Sequence, residues 1–202
     1  MHKTLYLASL SPRRLELLRQ LGLAPTVLPL RASEGRAEVD ETPLSSEPSK
    51  AYVQRLAQMK LQAALRAQVG RRLPAWPIIA ADTTVDIDGR ILGKPEDAAA
   101  AADMLRACSG RTHRVLTAVG VAFMGRTEVA VNESMVGFKA LSEAEIRAYT
   151  ESGEPFDKAG GYGIQGRAAA FIDHLSGSFS GVMGLPLFET SELLGKLGFD
   201  IW

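Results

Sequence analysis

The sequence has few of the residues from which disulfide frameworks and zinc sites are built. It contains a single cysteine, Cys108, so neither a disulfide within the chain nor a pair of cysteine ligands can form. The three histidines, His2, His113 and His174, lie far apart and lack the spacing of a metal site. We therefore expect a protein of a reduced compartment, and specifically a cytoplasmic one.

Long apolar runs and an excess of either charge are also missing. No apolar run approaches the roughly 18 to 20 residues needed to cross a bilayer, and the N-terminal stretch does not have the pattern of a signal peptide. The 23 basic residues balance the 23 acidic ones. We therefore expect neither a membrane partner nor a required nucleic-acid partner. A small phosphate ligand stays open, because it needs only a local cluster of positive charge.

What the chain does contain is the composition of an ordinary globular protein. Of its 202 residues, 46% are hydrophobic and 23% are charged, which favours one domain over residues 1–202. Strand patterns at 111–123 and 127–138 follow each other without a helix between them, whereas helix patterns occur at 49–69, 96–107 and 191–197. Adjacent long strands predict an α/β protein with a mixed sheet rather than a purely parallel one.

The segment 77–95 combines a buried-strand pattern with two charged residues. Four apolar residues at 78–81 lead into Asp82, the pair Asp88-Gly89 is typical of a hairpin turn, and Lys94 follows the second strand of that hairpin. We expect Asp82 at the end of the first strand, with Lys94 delivered beside it. Such a pair suits a metal-bound anionic substrate, although an Asp that closes a strand and a solvated Lys remain the alternative.

Near the N-terminus, a short strand pattern at 4–8 is followed by a predicted helix with two arginines in its first turn. Ser11 is the predicted cap, and Pro12 takes the first helical position. Arg13 and Arg14 are unfavourable beside the positive end of the helix dipole unless an anion is bound there. The alternative is a pair of solvated side chains.

Two further groups of charged residues are candidates for the same site. Glu38, Asp40 and Glu41 lie within four positions and offer hard oxygen ligands to a divalent cation, or else form a solvated acidic turn. Lys60 lies next to the apolar stripe of the helix predicted at 49–69, from which it either reaches solvent or points into a site.

A glycine-rich stretch at 156–166 is the last informative segment. It has four glycines in seven positions, which would let backbone amides approach a ligand closely, or would form a flexible hairpin loop. Gln165 carries a donor and an acceptor suited to the edge of a nucleobase. Beyond it we predict a strand at 168–175, a turn of small residues at 176–181 and a short apolar segment at 182–187.

Several of these motifs together resemble the Maf proteins, which are nucleoside triphosphate pyrophosphatases of the inosine-triphosphatase-like superfamily. The resemblance covers nearly the whole chain and keeps the order of the family's motifs. It comprises Ser9-x-Ser11-Pro12-Arg13-Arg14, Asp40-Glu41, Lys60, Ala81-Asp82-Thr83, Gly93-Lys94-Pro95, Ser109-Gly110 with His113, Asp157-Lys158-Ala159-Gly160 through Gly166, and Gly184-Leu185-Pro186-Leu187. The fold that it implies is an elongated mixed sheet flanked by helices, with two lobes and a central cleft.

The resemblance implies hydrolysis of a nucleoside triphosphate between its α and β phosphates, assisted by a divalent cation such as Mg²⁺, Mn²⁺ or Co²⁺. Asp82 then resembles the general base and shares the metal with Glu41, while the phosphates are held by Arg14, Lys60 and Lys94. A carboxylate beside Lys and a metal is expected to have a lowered pKa. Which acid of 38–41 binds the metal stays open.

Substrate choice is expected to follow the remaining matched positions. Arg13, Thr83 and Gln165 resemble the branch of the family that acts on dTTP and UTP, and Ser9 and Ser11 complete the substrate-binding set. Two alternatives remain: a 7-methyl-GTP pyrophosphatase, and a regulator of septation that binds nucleotide or nucleic acid. A homodimer is left open.

Overall fold

The computed structural model describes residues 3–30 and 39–202. In this part of the chain the strands are β1 (Thr4–Leu7), β2 (Ala24–Val27), β3 (Ile78–Ile87), β4 (Arg90–Leu92), β5 (Thr112–Phe123), β6 (Arg126–Phe138) and β7 (Ile172–Ser176). They form one mixed sheet in the order β2-β1-β3-β5-β6-β7, with β4 paired to β3. β1 runs parallel to β2 and β3, and the other pairs are antiparallel. The predicted mixed sheet is confirmed.

Helices flank this sheet, as expected. They are α1 (Pro12–Gln20), α2 (Ser49–Gly70), α3 (Ala98–Cys108), α4 (Glu143–Glu151), α5 (Phe179–Met183) and α6 (Leu187–Lys196), with short 3₁₀ turns at Glu154–Asp157, Ala159–Gly161 and Arg167–Phe171. Local sequence explains several of their ends. Asp97 accepts a hydrogen bond from the Ala100 amide to begin α3, and Ser142 with Glu145 forms a capping box at α4. None of the helices described is long and apolar enough to cross a membrane.

Several element boundaries differ from the predictions. Residues 168–171 belong to a 3₁₀ turn and the strand begins only at Ile172, in keeping with the weak preference of alanine for strands. The expected turn of small residues contains the start of α5, whose first turn is capped by the Ser178 hydroxyl. The last helix begins four residues earlier than predicted, after Pro186.

Two separate apolar clusters lie along one strand, and polar residues divide them. Ala81 of β3 packs in a cluster with residues of α1 and α6, such as Leu17 and Leu194. Val85, four residues later, packs in a second cluster with residues of α3 and α4. The intervening residues 82–84 are Asp, Thr and Thr. The cleft therefore opens where the core is interrupted, which agrees with the expected two lobes.

The same three residues lie where β3 has a partner on one side only. β1 pairs with β3 at Ile78 and Ile79, and β4 pairs with it from Val85 onward. Among the described strands, β3 residues 80–84 pair with β5 alone. Because one edge of the strand is open there, side chains from both faces of the sheet can reach the same space.

Alternation along β3 sends neighbouring residues to opposite faces of the sheet. Ile78 and Ala80 pack against α2 residues, so Asp82, two positions further, faces α2 as well. Ile79 and Ala81 face the other side, and so does Thr83. Asp82 lies in the middle of this ten-residue strand rather than at its end, which corrects the prediction.

His113 is a buried histidine that the second apolar cluster surrounds. It is 1% exposed, and its Nε2 lies 2.7 Å from the Tyr162 hydroxyl. Within the described part of the chain, its Nδ1 has no hydrogen-bond partner. Burial lowers the pKa of His113 to about 4, so the folded protein holds the ring neutral at pH 7.

Because His113 is buried as the neutral ring, we expect the protein to lose stability in acid, and His113→Gln should reduce that loss. Between pH 6.5 and 4 the unfolded chain binds a proton at His113 and the folded protein does not, so stability present above pH 6.5 is lost as the pH falls. The loss at pH 4 should be about 3 kcal/mol, measured as the free energy of unfolding in urea. In His113→Gln the decrease should be smaller by that amount; equal decreases in both proteins would contradict the prediction.

Candidate active site

A cleft of about 600 Å³ opens over the unpaired edge of β3. Its walls come from the loop between β1 and α1, from the segment around residue 41, from α2, and from the loops at 93–94, 157–165 and 182–184. Every predicted site residue lines it: Ser9, Ser11, Arg13, Arg14, Glu41, Lys60, Asp82, Thr83, Lys94 and Gln165. Segments that are distant in sequence thus converge on one space.

Lys60 connects the two carboxylates on the α2 side of the cleft. Its Nζ lies 2.6 Å from Asp82 Oδ1 and 2.6 Å from Glu41 Oε1. Asp82 is buried, whereas the Glu41 side chain is 53% exposed. Tyr52, about two turns before Lys60 on α2, donates a hydrogen bond from its hydroxyl to the Glu41 carbonyl at 2.9 Å. Side chains of α2 therefore contact both the backbone and the carboxylate of Glu41.

The net pKa shifts of these two acids are opposite. Desolvation raises the pKa of Asp82 and outweighs the opposing charges of Lys60 and Arg14. Desolvation also acts on Glu41, but the hydrogen bond and charge of Lys60, with Lys94 and Arg14, leave the pKa of Glu41 lowered. The expected lowering at Asp82 is therefore wrong for the protein alone, because its burial is deeper. A raised pKa makes Asp82 a stronger base once it is ionised.

The donor set of this pair fits a hard divalent cation that the substrate helps to bind. Among residues 3–30 and 39–202, no group of three His, Cys, Asp or Glu side chains converges to hold a metal by itself. Two carboxylates do converge, and Mg²⁺ commonly uses one or two carboxylates with substrate phosphates and water. Asp40 instead accepts a hydrogen bond from the Thr42 amide. Glu38 lies outside the described residues.

Arg14 is held from three directions on the opposite face of the sheet. Its Nε donates to the Gly184 carbonyl at 2.7 Å, its Nη2 to Thr83 Oγ1 at 3.1 Å and its Nη1 to Ser9 Oγ at 3.3 Å. A guanidinium has five N–H donors, so two remain for an anion. A fixed, partly buried cation therefore lines the cleft at this helix start, and anion binding there stays a prediction.

Ser11 does not act as predicted. It occupies the N-cap position of α1, but its side chain makes no capping hydrogen bond. The Ser11 amide instead donates to Ser9 Oγ at 3.2 Å. The loop is therefore folded around the Ser9 hydroxyl, and the Ser11 side chain is left to line the cleft.

Arg13 points to the other end of the cleft. Its Nη1 lies 2.9 Å from Asp157 Oδ2, and the second oxygen of Asp157 lies 2.5 Å from Lys158 Nζ. The two consecutive arginines therefore have different surroundings: Arg14 lies beside Asp82 and Thr83, whereas Arg13 joins the glycine-rich segment. Gln165, from that segment, is exposed within the cleft.

Lys94 is the remaining cation of the predicted set. It is exposed at the edge of the cleft, and within the described residues its ammonium forms no ion pair. Its charge nevertheless contributes to the lowered pKa of Glu41. Lys94 is therefore close to the acid pair and available to an anionic ligand.

The glycine-rich segment is explained by contacts within the protein. A Cβ at Gly160, whose φ is +70°, would lie 2.6 Å from Val85 Cγ2. A Cβ at Gly166 would overlap the Glu154 carboxylate. These glycines let the segment pack directly on β3 and on the 3₁₀ turn before it. The interpretation that they bring amides to a ligand is not needed to account for them.

Sequence reasoning missed several residues that shape the site. Thr117 of β5 lies 3.0 Å from Thr83 Oγ1 and donates to the Gly181 carbonyl at 2.7 Å. Thr117 is a polar residue within the apolar pattern of β5, and this break in the pattern could have identified it. Tyr52 has no polar neighbour in sequence that would separate it from the apolar stripe of α2, and Asp157 enters the sequence analysis only as part of a motif.

Comparisons with known proteins find similarity along nearly the whole chain. Among solved structures, the Staphylococcus aureus Ham1 protein aligns with 96% of this chain and 90% of its own, with a TM-score of 0.46 and 15% identity. A dTTP/UTP pyrophosphatase of Dechloromonas aromatica is 53% identical over 96% of this chain and 98% of its own length. A dTTP/UTP pyrophosphatase of Ralstonia nicotianae is 55% identical, over 99% and 97% respectively. The model of the Maf-like protein family matches residues 4–197. Because this family model and the two pyrophosphatases match nearly the whole sequence, the chain belongs to the Maf-like protein family.

Proposed function

We propose that this protein hydrolyses dTTP and UTP to the nucleoside monophosphate and pyrophosphate. The observation that carries the proposal is the convergence, over one open strand edge, of Asp82 with Lys60 on one face and Arg14 on the other. Such a site holds a base and fixed cations around a polyanion. The names of relatives that are more than 50% identical support the same activity and the same pyrimidine substrates.

In the proposed reaction, water attacks the α-phosphorus and the bond from that phosphorus to the bridging oxygen of the β-phosphate breaks. Asp82 accepts the proton of the water, and pyrophosphate leaves with the electron pair of the broken bond. Phosphoryl transfer depends mainly on positioning and on stabilisation of charge. Lys60, Lys94 and Arg14 are the groups that neutralise the charge developing on the phosphate oxygens.

A divalent cation, when bound, would neutralise charge on the phosphate oxygens and polarise the phosphorus. Glu41 and Asp82 are the residues that would hold it, because theirs are the two carboxylates that converge in the cleft. Ser9 and Thr83 would orient Arg14 toward the phosphates through their hydroxyls. Arg13 and Gln165 lie at the nucleoside end.

A panel of nucleoside triphosphates tests the proposal directly. The protein is incubated with dTTP, UTP, CTP, ATP, GTP and 7-methyl-GTP, in Mg²⁺ or Mn²⁺, and the products are separated by ion exchange. We expect dTTP and UTP to be hydrolysed fastest, with pyrophosphate rather than orthophosphate released. Preferred turnover of 7-methyl-GTP, or weak turnover of every triphosphate with tight, salt-dependent DNA binding, would overturn it.

The substitution Gln165→Glu tests whether this residue recognises the nucleobase. A carboxamide can donate to a uracil carbonyl and accept from N3–H, whereas a carboxylate only accepts. We expect kcat/KM for UTP to fall by about tenfold, because a uracil carbonyl would face a negative charge in place of a hydrogen-bond donor. The matched control is Gln62→Glu on the exposed surface of α2. Unchanged UTP hydrolysis in the Gln165 variant would remove this residue from base recognition.

A further inference from the structure

One ion pair crosses the nucleoside end of the cleft and joins its two walls. Arg13 belongs to α1, which packs on the first apolar cluster, and Asp157 ends the 3₁₀ turn beside the glycine-rich segment. Arg13 Nη1 lies 2.9 Å from Asp157 Oδ2, with side-chain exposures of 20% and 60%. The pair thus lies at the surface of the cleft, within reach of a bound nucleotide.

The segment that carries Asp157 is itself tied to the turn that carries Gln165. Lys158 Nζ donates to Asp157 Oδ1 at 2.5 Å and to the Glu154 carbonyl at 2.6 Å. The Glu154 carboxylate accepts from the Arg167 amide at 3.1 Å and from the Tyr149 hydroxyl at 3.0 Å. Gly166 packs against the same carboxylate. A continuous set of contacts therefore runs from Arg13 to the residues that flank Gln165.

A carboxylate is unexpected at the mouth of a site for a polyanion. Partial burial acts to raise the pKa of Asp157, but the hydrogen bonds and charges of Lys158 and Arg13 outweigh it, and the pKa is lowered. Asp157 is therefore ionised at neutral pH and repels phosphates unless its two cations are held on it. Its bond to Arg13 draws that guanidinium away from the group formed by Arg14, Lys60 and Asp82. The carboxylate thus separates the nucleoside end of the cleft from the phosphate end.

We propose that Asp157 is a positioning residue: it fixes Arg13 against the segment that presents Gln165, and so determines how tightly the nucleoside is bound. The inference rests on the proposed function for the identity of the substrate. It adds that the nucleoside is bound tightly only when the Arg13–Asp157 ion pair connects the two walls of the cleft. Asp157 acts through Arg13 and takes no part in the transfer of the phosphoryl group.

The first test compares Asp157→Asn with the wild type. We expect KM for UTP to rise about tenfold while kcat changes by less than about threefold, because binding rather than chemistry is affected. The thermal midpoint should move by no more than about 3 °C, because exposed ion pairs contribute little to stability. The matched control is Asp103→Asn, since Asp103 also pairs with an arginine but lies outside the cleft. Asp157→Glu, which keeps the charge, should recover part of the loss in KM.

A double-mutant cycle then decides whether Asp157 acts through Arg13. In an Arg13→Gln background, Asp157→Asn should cause no further rise in KM. An equal rise in both backgrounds would show that Asp157 acts independently of Arg13, and an unchanged KM in the single variant would show that it does not position substrate. Either result overturns the inference. Binding of a non-hydrolysable UTP analogue, measured by calorimetry, tests the inference without hydrolysis, and equal affinities of wild type and Asp157→Asn would overturn it. Failure of the wild type to hydrolyse UTP and dTTP would instead overturn the proposed function.

Discussion

Replacing Asp82 with asparagine should reduce the turnover of UTP and dTTP by about a thousandfold, because the variant has no carboxylate to take the proton of the attacking water. Asn keeps the size and the hydrogen-bonding shape of the side chain, so the cleft should retain its form. Stopped assays with radiolabelled UTP have the range to measure such a loss. Turnover within about threefold of the wild type would exclude Asp82 as the base.

The same substitution should leave the protein at least as stable as before. Burial raises the pKa of Asp82, so the ionised side chain opposes folding at pH 7, and a neutral side chain removes that cost. Lys60 keeps Glu41 as its partner. The matched control is Asp86→Asn on the same strand and face, where the carboxylate pairs with Arg114 outside the cleft. We expect this control to lose stability and to keep its turnover per folded molecule, the reverse of Asp82→Asn.

Replacing Lys60 with methionine should lower turnover by about 100-fold, because one fixed positive charge on the phosphates is lost. Methionine retains the unbranched chain that packs along α2. The matched control is Lys50→Met, since Lys50 is exposed on the same helix and lies outside the cleft. Turnover of Lys60→Met equal to that of the control would remove Lys60 from the phosphate-binding set.

The Lys60 variant should also bind a divalent cation more tightly in the absence of nucleotide. In the wild type the ammonium lies 2.6 Å from both Glu41 and Asp82, so it already neutralises the two acids. Without it, the carboxylates repel each other unless a cation is bound. Calorimetric titration with Mn²⁺ should show an affinity at least about tenfold higher than that of the wild type. Equal affinities would mean that the two acids do not share the cation.

Local patterns in the sequence predicted most of the elements that carry the site. The apolar run at 78–81 and the Asp88-Gly89 turn give β3 and its hairpin, and the helix pattern at 49–69 gives α2. Pro12 gives the start of α1. These features depend on residues close in sequence, and their physical causes can therefore be read without coordinates.

The residues of the site were identified by their resemblance to a family, and their arrangement required the structure. No pattern within β3 shows that its edge is open at 80–84, because that depends on where β1 and β4 stop pairing. The raised pKa of Asp82 depends on the depth of burial beneath α2. Likewise, Arg13 and Arg14 are equivalent in sequence, and only the positions of Asp157 and Thr83 separate their roles.

The two faces of β3 present different side chains to the site, Asp82 toward Lys60 and Thr83 toward Arg14. This alternation limits the insertions and deletions that the strand can accept. Deleting or inserting one codon before Asp82 would turn every following side chain to the opposite face, so that the acid would meet Arg14 and the threonine would meet Lys60. The loops around the cleft have no such alternation. Relatives should therefore vary in length at these loops, and hardly ever between Ile78 and Thr84.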